Sequence, residues 1–165
     1  RHPELLVPAS SLEVLKIAVI FGADAVYIGG EAFGLRAKAK NFSMEEMREG
    51  IRFAHEHEVK VYVTANILAH NDDLEGVREY FKELDSFAKE EKPDALIIAD
   101  PGVFMIAKEV CPDIERHIST QANNTNYETC NIKSFFSKWI RNIIVKQCQI
   151  RIRHWSQCLS LKNYV

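Results

Sequence analysis

The sequence predicts an α/β fold, namely an incomplete TIM-type (β/α) barrel of about five βα units followed by a divergent tail. Short runs rich in valine and isoleucine alternate with helical segments over the first 130 residues, and a helix-start signal follows each run. Motifs that would favour a nucleotide-binding doubly wound sheet are missing. The first run continues as Val7-Pro8-Ala9-Ser10-Ser11 without the glycine fingerprint, and Gly29-Gly30 lacks the Gly-Lys-Ser/Thr of a P-loop. A series of right-handed βα units is then the better interpretation.

The predicted strands are five short apolar runs without strict alternation of polar and apolar residues. Such runs are typical of parallel strands that are buried on both faces. They cover residues 5–7, 25–29, 60–65, 95–99 and 117–119.

Each run is followed by a residue pattern that favours the start of a helix. Four are capping boxes, in which a side-chain oxygen and a glutamate satisfy the first free amides, and a fifth places proline in the first turn. The pairs are Ser10 with Glu13, Ser43 with Glu46, Asp72 with Glu75, Asp100 with Pro101, and Thr125 with Glu128.

Between these signals the apolar residues recur at helical spacing, so each helix has one apolar stripe and one charged face. The stripes contain Leu12, Leu15 and Val19, then Met47, Ile51 and Ala54, and then Leu74, Val77, Phe81, Leu84 and Ala88. Core packing explains these stripes better than a groove for a partner. His55 and His57 lie on a charged face and are expected to be solvated.

The composition changes near residue 130. Residues 131–165 carry seven Lys and Arg and no Asp or Glu, and they lack Gly, Ala and Pro, although the whole chain has a net charge of −2. We therefore predict two regions, a βα-barrel part over residues 1–130 and a divergent basic tail over residues 131–165. A basic arm would attract a phosphate backbone. However, the residue types whose codons begin with G, namely Ala, Gly, Asp, Glu and Val, become rare after residue 130. This loss favours a shift of reading frame over a functional basic arm.

The candidate site residues are polar side chains at the predicted carboxyl ends of the strands, together with the long loop of residues 30–42. In βα barrels this end carries the chemistry, and converging polar groups there can hold a small polar ligand. Several have structural alternatives, since Asp100 can be a helix cap, Asn71 a turn residue and Gln121 a donor to loop backbone. His70 is the histidine placed to act as a base. The candidates are Tyr27, Glu31, Arg36, Asn66, His70, Asn71, Asp100, Gln121 and Asn123.

Other functional classes find no support in the sequence. No spacing indicates a Ser-His-Asp or Cys-His arrangement, and Cys111, Cys130, Cys148 and Cys158 have no metal-ligand or disulfide pattern. No metal site is therefore predicted, and catalytic residues are left unassigned. No apolar run approaches the ~20 residues of a membrane helix. A cytoplasmic protein in a reducing compartment is expected.

Ordered strings of residues resemble the start of peptidase family U32, the collagenase-like proteases. The resemblance covers residues 3 to about 130. Its strings are Pro3-Glu4-Leu5-Leu6-Val7-Pro8-Ala9, Gly22-Ala23-Asp24-Ala25-Val26-Tyr27-Ile28-Gly29-Gly30, Phe33-Gly34-Leu35-Arg36-Ala37, Val61-Tyr62-Val63-Thr64-Ala65-Asn66, His70-Asn71, Asp94-Ala95-Leu96-Ile97-Ile98-Ala99-Asp100-Pro101-Gly102 and His117-Ile118-Ser119-Thr120-Gln121-Ala122-Asn123.

The resemblance implies two alternative chemistries. By family name the protein is a peptidase acting on peptides, whereas relatives are linked to hydroxylation of tRNA or rRNA bases and of ubiquinone precursors, with prephenate implicated. Those relatives hold an iron–sulfur cluster with four cysteines, in a Cys-x4-Gly-x-Cys signature that this sequence lacks. We therefore expect no cofactor in this chain, and a truncated, inactive protein. A non-catalytic remnant that binds nucleic acid through the basic tail is the further alternative.

Overall fold

In a computed structural model of the chain, residues 4–30 and 41–123 are described with their side chains, and Ile140–Asn142 by its backbone. The strands are β1 Leu6–Pro8, β2 Ala25–Gly29, β3 Lys60–Ala65, β4 Ala95–Ile98, β5 Glu115–Ile118 and β6 Ile140–Asn142. The α-helices are α1 Leu12–Ile20, α2 Met44–Glu56, α3 Leu74–Asp85 and α4 Pro101–Val110, and 3-10 turns cover Asn71–Asp73, Lys89–Glu91 and Thr120–Ala122. None of these described helices has the length and apolar character needed to cross a bilayer.

The strands form one parallel sheet in the order β1-β2-β3-β4-β5-β6. Each strand therefore pairs with its neighbours in sequence, and the order does not reverse as it does in a doubly wound sheet. Right-handed crossovers in such an order place successive helices on the same side. This arrangement confirms the α/β class and matches part of a βα barrel.

Alternate residues of the strands face two different environments. One face packs against all four helices and forms the main core, which includes Leu15, Met47, Phe81 and Val103 from the helices. The opposite face carries a smaller cluster of Ala25, Tyr62, Ala95 and Ile97, with Leu6 and Tyr27 packed against it. We call the helix-covered side the outer face and the other side the inner face.

The predicted strands agree with the structure in the middle of the sheet and differ at its edges. β2 and β3 have the predicted bounds, whereas β1 ends one residue later, at Pro8. β5 begins at Glu115, two residues before the predicted start at His117. The sequence did not predict this start, because the charged pair Glu115-Arg116 is unusual in a buried strand. In the structure Arg116 is buried, and its Nη1 donates to the backbone oxygens of Cys111, Pro112 and Ile114.

The helix-start signals are confirmed at α2 and α4. The Ser43 hydroxyl accepts from Glu46 N at 3.2 Å while Ser43 N donates to the Glu46 carboxylate at 2.9 Å. Asp100 caps α4 by accepting from Val103 N at 2.9 Å. The signal of Thr125 with Glu128 lies outside the described residues.

Two predicted caps are wrong. Ser11, not Ser10, caps α1 by accepting from Val14 N at 3.3 Å. Asp72 lies in a 3-10 turn ahead of α3 and does not cap it, because the neighbouring Asp73 accepts from His70 N at 2.8 Å and so orders that turn. The predicted cap was displaced by one residue at α1, whereas the side chain of Asp73, which precedes α3, makes no capping hydrogen bond to that helix.

A sixth strand lies beyond the five predicted units. Residues 140–142 pair in parallel with Arg116–Ile118, with Ile140 opposite Arg116 and Asn142 opposite Ile118. This strand falls in the segment predicted to diverge from the barrel pattern. The basic residues around it obscured the short apolar run from which a strand would be predicted.

His55 is not solvated as predicted. Its Nδ1 lies 2.9 Å from Glu90 O and its Nε2 lies 3.0 Å from Asp94 Oδ2. Both partners are acceptors, so only the doubly protonated ring donates to both. The hydrogen bond to Asp94, together with its charge, raises the pKa of His55 above its usual value, against the opposing effect of partial burial. Asp94 also accepts from Val61 N at 2.8 Å, which ties α2 to the starts of β3 and β4.

We expect the free energy of unfolding to depend on pH through His55. A group whose pKa is raised in the folded state stabilises fully below its unfolded pKa of about 6.5, and this contribution is lost as pH rises through the folded pKa. Urea titrations should therefore show that the free energy of unfolding falls as pH rises from about 6 towards 8. The His55→Gln variant should lack this loss.

His57 provides the control for this prediction, because it is the C-cap of the same helix and is exposed. Its Nδ1 donates to Phe53 O at 2.8 Å, which the neutral ring can do. His57→Gln should therefore keep the pH dependence of the parent chain. An identical slope in the parent and in His55→Gln would contradict the assignment.

Candidate functional site

The carboxyl-terminal edge of the sheet brings the ends of four strands side by side. Register places Gly29 beside Thr64, and Ala65 beside Ile98, which in turn lies beside Ile118. Asn66 and Ser119 come directly after two of these ends, and Ser119 N donates to Ile98 O at 2.8 Å. In parallel α/β proteins this edge is where ligands bind. We call it the rim.

Gly29 places no side chain between Thr64 and Asn41 at the rim. A β-carbon at this position would lie 3.3 Å from Thr64 Oγ1 and 3.4 Å from Asn41 Oδ1. Gly29, Asn41 and Thr64 are all partly exposed, while Val63 and Ala65 on the outer side of β3 are fully buried. We call the space bounded by Gly29, Asn41 and Thr64 the Gly29 niche.

The backbone around the niche is fixed by close packing. Phe42 N donates to Gly29 O at 3.0 Å, and Gly30 forms a parallel bridge with Phe42. Phe42 is 2% exposed, so it anchors the segment that carries Asn41. The Thr64 hydroxyl donates to Ile28 O at 3.1 Å, which leaves the oxygen lone pairs of Thr64 as the groups it can offer towards the niche.

The inner face below the rim mixes apolar residues with polar ones. Barrels with a structural interior fill it with branched aliphatic side chains, but here only Leu6 and Ile97 among the inner-face residues of β1–β5 are of that kind. By strand alternation the inner-face residues are Leu6, Pro8, Ala25, Tyr27, Gly29, Lys60, Tyr62, Thr64, Ala95, Ile97, Glu115 and His117.

Tyr62 is the centre of this polar face. Its hydroxyl donates to Glu4 Oε1 at 2.8 Å, and Lys60 Nζ lies 3.6 Å from Glu4 Oε2. Burial, followed by the hydrogen bond to Glu4, raises the pKa of Tyr62 above its usual value. Tyr62 therefore stays a neutral hydrogen-bond donor at physiological pH.

His117 packs edge-on against the Tyr62 ring, with ring centroids 4.9 Å apart. It is 3% exposed, and its Nε2 lies 3.4 Å from Glu115 Oε1. Glu115 and His117 thus add a carboxylate and a buried imidazole to the inner face.

The structure separates the predicted site residues into three groups. Tyr27 lies on the inner face of β2 and Asn66 at the rim, both partly exposed. His70, Asn71, Gln121 and Asn123 are exposed in loops and 3-10 turns, where Asn123 takes a left-handed backbone with φ of 53°. Asp100 has the capping role considered as its alternative. Glu31 and Arg36 lie outside the described residues.

Sequence reasoning missed the polar inner-face residues Glu4, Lys60, Tyr62, Thr64 and His117. A signal was present in β3, where Lys60, Tyr62 and Thr64 alternate with Val61, Val63 and Ala65. Such alternation shows a strand with one polar and one apolar face. No comparable signal exists for Glu4, whose position precedes the first strand.

The described residues do not fit an iron–sulfur cluster or a metal ion. Cys111 is the cysteine among them, and its thiol is buried at the end of α4 and donates to Ala107 O at 3.2 Å. Burial raises the pKa of Cys111 to about 12, whereas a ligand must be a thiolate. No three His, Cys, Asp or Glu side chains in residues 4–30 and 41–123 converge as ligands would.

Comparison with known proteins identifies a family. The sequence model of peptidase family U32 matches residues 10–145, which includes β6 and runs beyond the boundary predicted at residue 130. A protein named tRNA hydroxylation protein P1 from Bacillus subtilis is 45% identical over 128 residues, which is 78% of this chain and 29% of that protein.

Two further relatives differ in their names. An uncharacterized protease of Methanocaldococcus jannaschii is 40% identical over 144 residues, covering 87% of this chain and 33% of its own length. The Escherichia coli synthase of 5-hydroxycytidine in 23S rRNA is 37% identical over 131 residues, or 79% of this chain and 19% of its own. The chain thus spans a third or less of the length of these relatives.

Proposed function

Because the chain belongs to peptidase family U32, we propose that it is part of an RNA hydroxylation protein rather than of a peptidase. The observation that carries this proposal is the similarity to proteins named for hydroxylation of tRNA and rRNA, at 45% and 37% identity. The polar side chains at the rim and on the inner face agree with it, because a base drawn out of a stack is held by hydrogen bonds to groups of this kind.

The described residues offer little to a peptidase mechanism. The hydroxyls of Ser11, Ser43 and Ser119 accept backbone hydrogen bonds at the starts of helical turns. The Cys111 thiol is buried and held protonated. A hydrolase requires an activated nucleophile or a metal-bound water, and neither is formed by this part of the chain.

In this proposal the chain supplies a binding surface, and residues outside its described part supply the redox chemistry. An iron–sulfur cluster would deliver electron transfer or oxygen activation there, since the described side chains do not fit one. The remaining length of the relatives would complete the sheet into a barrel and cover the inner face. The role of Gly29, Thr64 and Tyr62 is then to bind and orient the base.

A domain exchange tests the proposed function. Residues 10–130 of this chain would replace the corresponding segment of the Escherichia coli tRNA hydroxylation protein P, a relative with 40% identity over 127 residues. The chimera would be expressed in a strain that lacks the native protein. We expect hydroxylated nucleosides to return in tRNA digests analysed by mass spectrometry, because the exchanged segment folds the same way and presents the same rim.

Two controls make the exchange decisive. A chimera that carries the corresponding segment of the Methanocaldococcus jannaschii relative shows whether a segment from any family member is enough to restore hydroxylation. Cleavage of gelatin by the purified chimera is measured in parallel. A soluble chimera that restores no hydroxylated nucleoside but cleaves gelatin would overturn the proposal in favour of the peptidase.

A further inference from the structure

We infer that one side of α1 is a docking surface for a further helix, supplied by a βα unit from the remaining length of the family whose strand pairs with β1. We call this side the α1 flank, and it consists of the exposed residues Val14, Ile17 and Phe21. The inference goes beyond the proposed function. It depends on membership of the family and not on hydroxylation.

Exposed apolar side chains are concentrated in the first βα unit. Seven large apolar side chains are exposed among the described residues, and five of them lie between Leu5 and Phe21. Phe21 is 83% exposed and Ile17 is 49% exposed. A cluster of exposed apolar side chains on one element indicates a surface that another element covers.

The composition of α1 is typical of a helix that is covered on several sides. Seven of its nine residues are apolar, and the exceptions are Glu13 and Lys16. A helix that is apolar nearly all round is normally a buried one. Lys16 is held towards α2, where its Nζ lies 2.6 Å from Glu49 Oε1, so its charge does not interrupt the α1 flank.

The α1 flank lies on the side of the helix opposite to α2. Leu12 and Leu15 face α2, since a β-carbon on Gly50 would lie 3.3 Å from Leu12 Cδ1 and 3.0 Å from Leu15 Cδ1. With 3.6 residues per turn, the three flank residues lie about 140–200° around the helix axis from Leu12. A helix packed on the flank would therefore lie beside α1 as α2 does, on the other side.

The sheet edge next to the flank is open to a further strand. β1 is first in the strand order, so its other side pairs with no strand of the described residues. Ala25 N donates to Leu5 O and Ala9 N donates to Tyr27 O, so by alternation the backbone groups of Leu6 point to the free edge. Each of β1 to β4 leads into a helix on the outer face. A parallel strand added beside β1 would do the same, and its helix would meet the α1 flank.

The length of the relatives identifies the occupant. The chain spans 29% of the Bacillus subtilis relative and 33% of the Methanocaldococcus jannaschii relative, so most of each relative lies outside the matched segment. Further βα units would extend the arrangement that α1 to α4 already show. A second copy related by a two-fold axis would instead place β1 against β1 in antiparallel orientation.

Cysteine labelling tests the inference in two proteins, the 165-residue chain and the chimera with the Escherichia coli tRNA hydroxylation protein P. Ile17→Cys should react rapidly with a maleimide in the 165-residue chain. In the chimera the reaction should be slower by about tenfold or more, because the added helix must move away before the thiol is reached. Peptide mass spectrometry follows the labelling at that position.

Glu45→Cys is the matched control, because Glu45 is exposed on α2, away from the α1 flank. Its labelling rate should be the same in both proteins. If the chimera is insoluble, cysteines at the positions aligned with Ile17 and Glu45 in the native Escherichia coli protein replace it, and the first should again react about tenfold more slowly than the second.

Equal labelling of Ile17→Cys in the 165-residue chain and in the longer protein would overturn the inference. Slow labelling already in the 165-residue chain would also overturn it, and a dimer in sedimentation that Phe21→Glu dissociates would then assign the flank to a second copy. Protection of Ile17→Cys in a chimera that restores no hydroxylated nucleoside would support the inference while the proposed function fails.

Discussion

Replacing Phe81 with alanine is expected to cost about 3–5 kcal/mol of the free energy of unfolding. Phe81 lies in α3 with no exposed surface, within the core that joins all four helices to the outer face of the sheet. Truncation removes a large buried ring and leaves a cavity that the surrounding strands cannot close. Urea denaturation should show a lower midpoint with an unchanged dependence on denaturant concentration, unless the variant is already unfolded in buffer.

Phe21→Ala is the matched control, because the chemical change is the same and Phe21 is 83% exposed at the end of α1. Its expected effect lies within about 0.5 kcal/mol, as for an ordinary surface substitution. Similar losses at positions 21 and 81 would show that the two phenylalanines are not buried as described.

Gly30→Ala is expected to destabilise the chain by about 1–3 kcal/mol through overpacking. A β-carbon at Gly30 would lie 2.7 Å from Met47 Cε and would collide with the hydroxyl of Tyr80. Tyr80 is 6% exposed and cannot swing out into water. The rim would have to move to make room.

The Tyr80→Phe substitution tests this explanation, since it removes the hydroxyl that causes the collision. Alone it removes the hydroxyl and its long contact of 4.0 Å to Met47 Sδ, and this effect is measured separately in the cycle. In the Gly30→Ala background it should recover part of the lost stability, which gives a favourable coupling energy in a double-mutant cycle. Strictly additive effects would contradict the proposed collision.

Local patterns predicted much of the fold correctly. The capping box of Ser43 with Glu46 and the cap of Asp100 before Pro101 act within four residues, so a short stretch of sequence is enough to predict them. The strand runs 25–29 and 60–65 are bounded by turns and rich in β-branched residues. Predictions of this kind succeed because the interactions that decide them are near in sequence.

Contacts between distant residues could not be predicted in the same way. His55 meets Asp94 across 39 positions, and Tyr62 meets Glu4 across 58. A charged helix face appears solvated until the loop that covers it is known. The same limit applies to the inner face. The alternation in Lys60–Ala65 predicts one polar and one apolar face, but it does not predict which residues the polar face contacts.

The proposed function rests on similarity to named relatives, and the structure shows where the candidate residues lie. Of the candidates predicted at strand ends, Tyr27 lies on the inner face and Asn66 at the rim. Thr64 was absent from the candidates because it precedes the strand end by one residue. Residues inside a strand face a barrel interior as directly as residues that follow it.

The uninterrupted order of the strands has a consequence for biosynthesis. Because every strand pairs with the strand made just before it, each new ladder forms as soon as the next strand and its preceding helix have left the ribosome. Among β1 to β6, no strand has to wait for a distant segment of the nascent chain before its first neighbour is present. Such a polypeptide accumulates structure in the order of translation, and its early units acquire their first neighbours before the later ones exist.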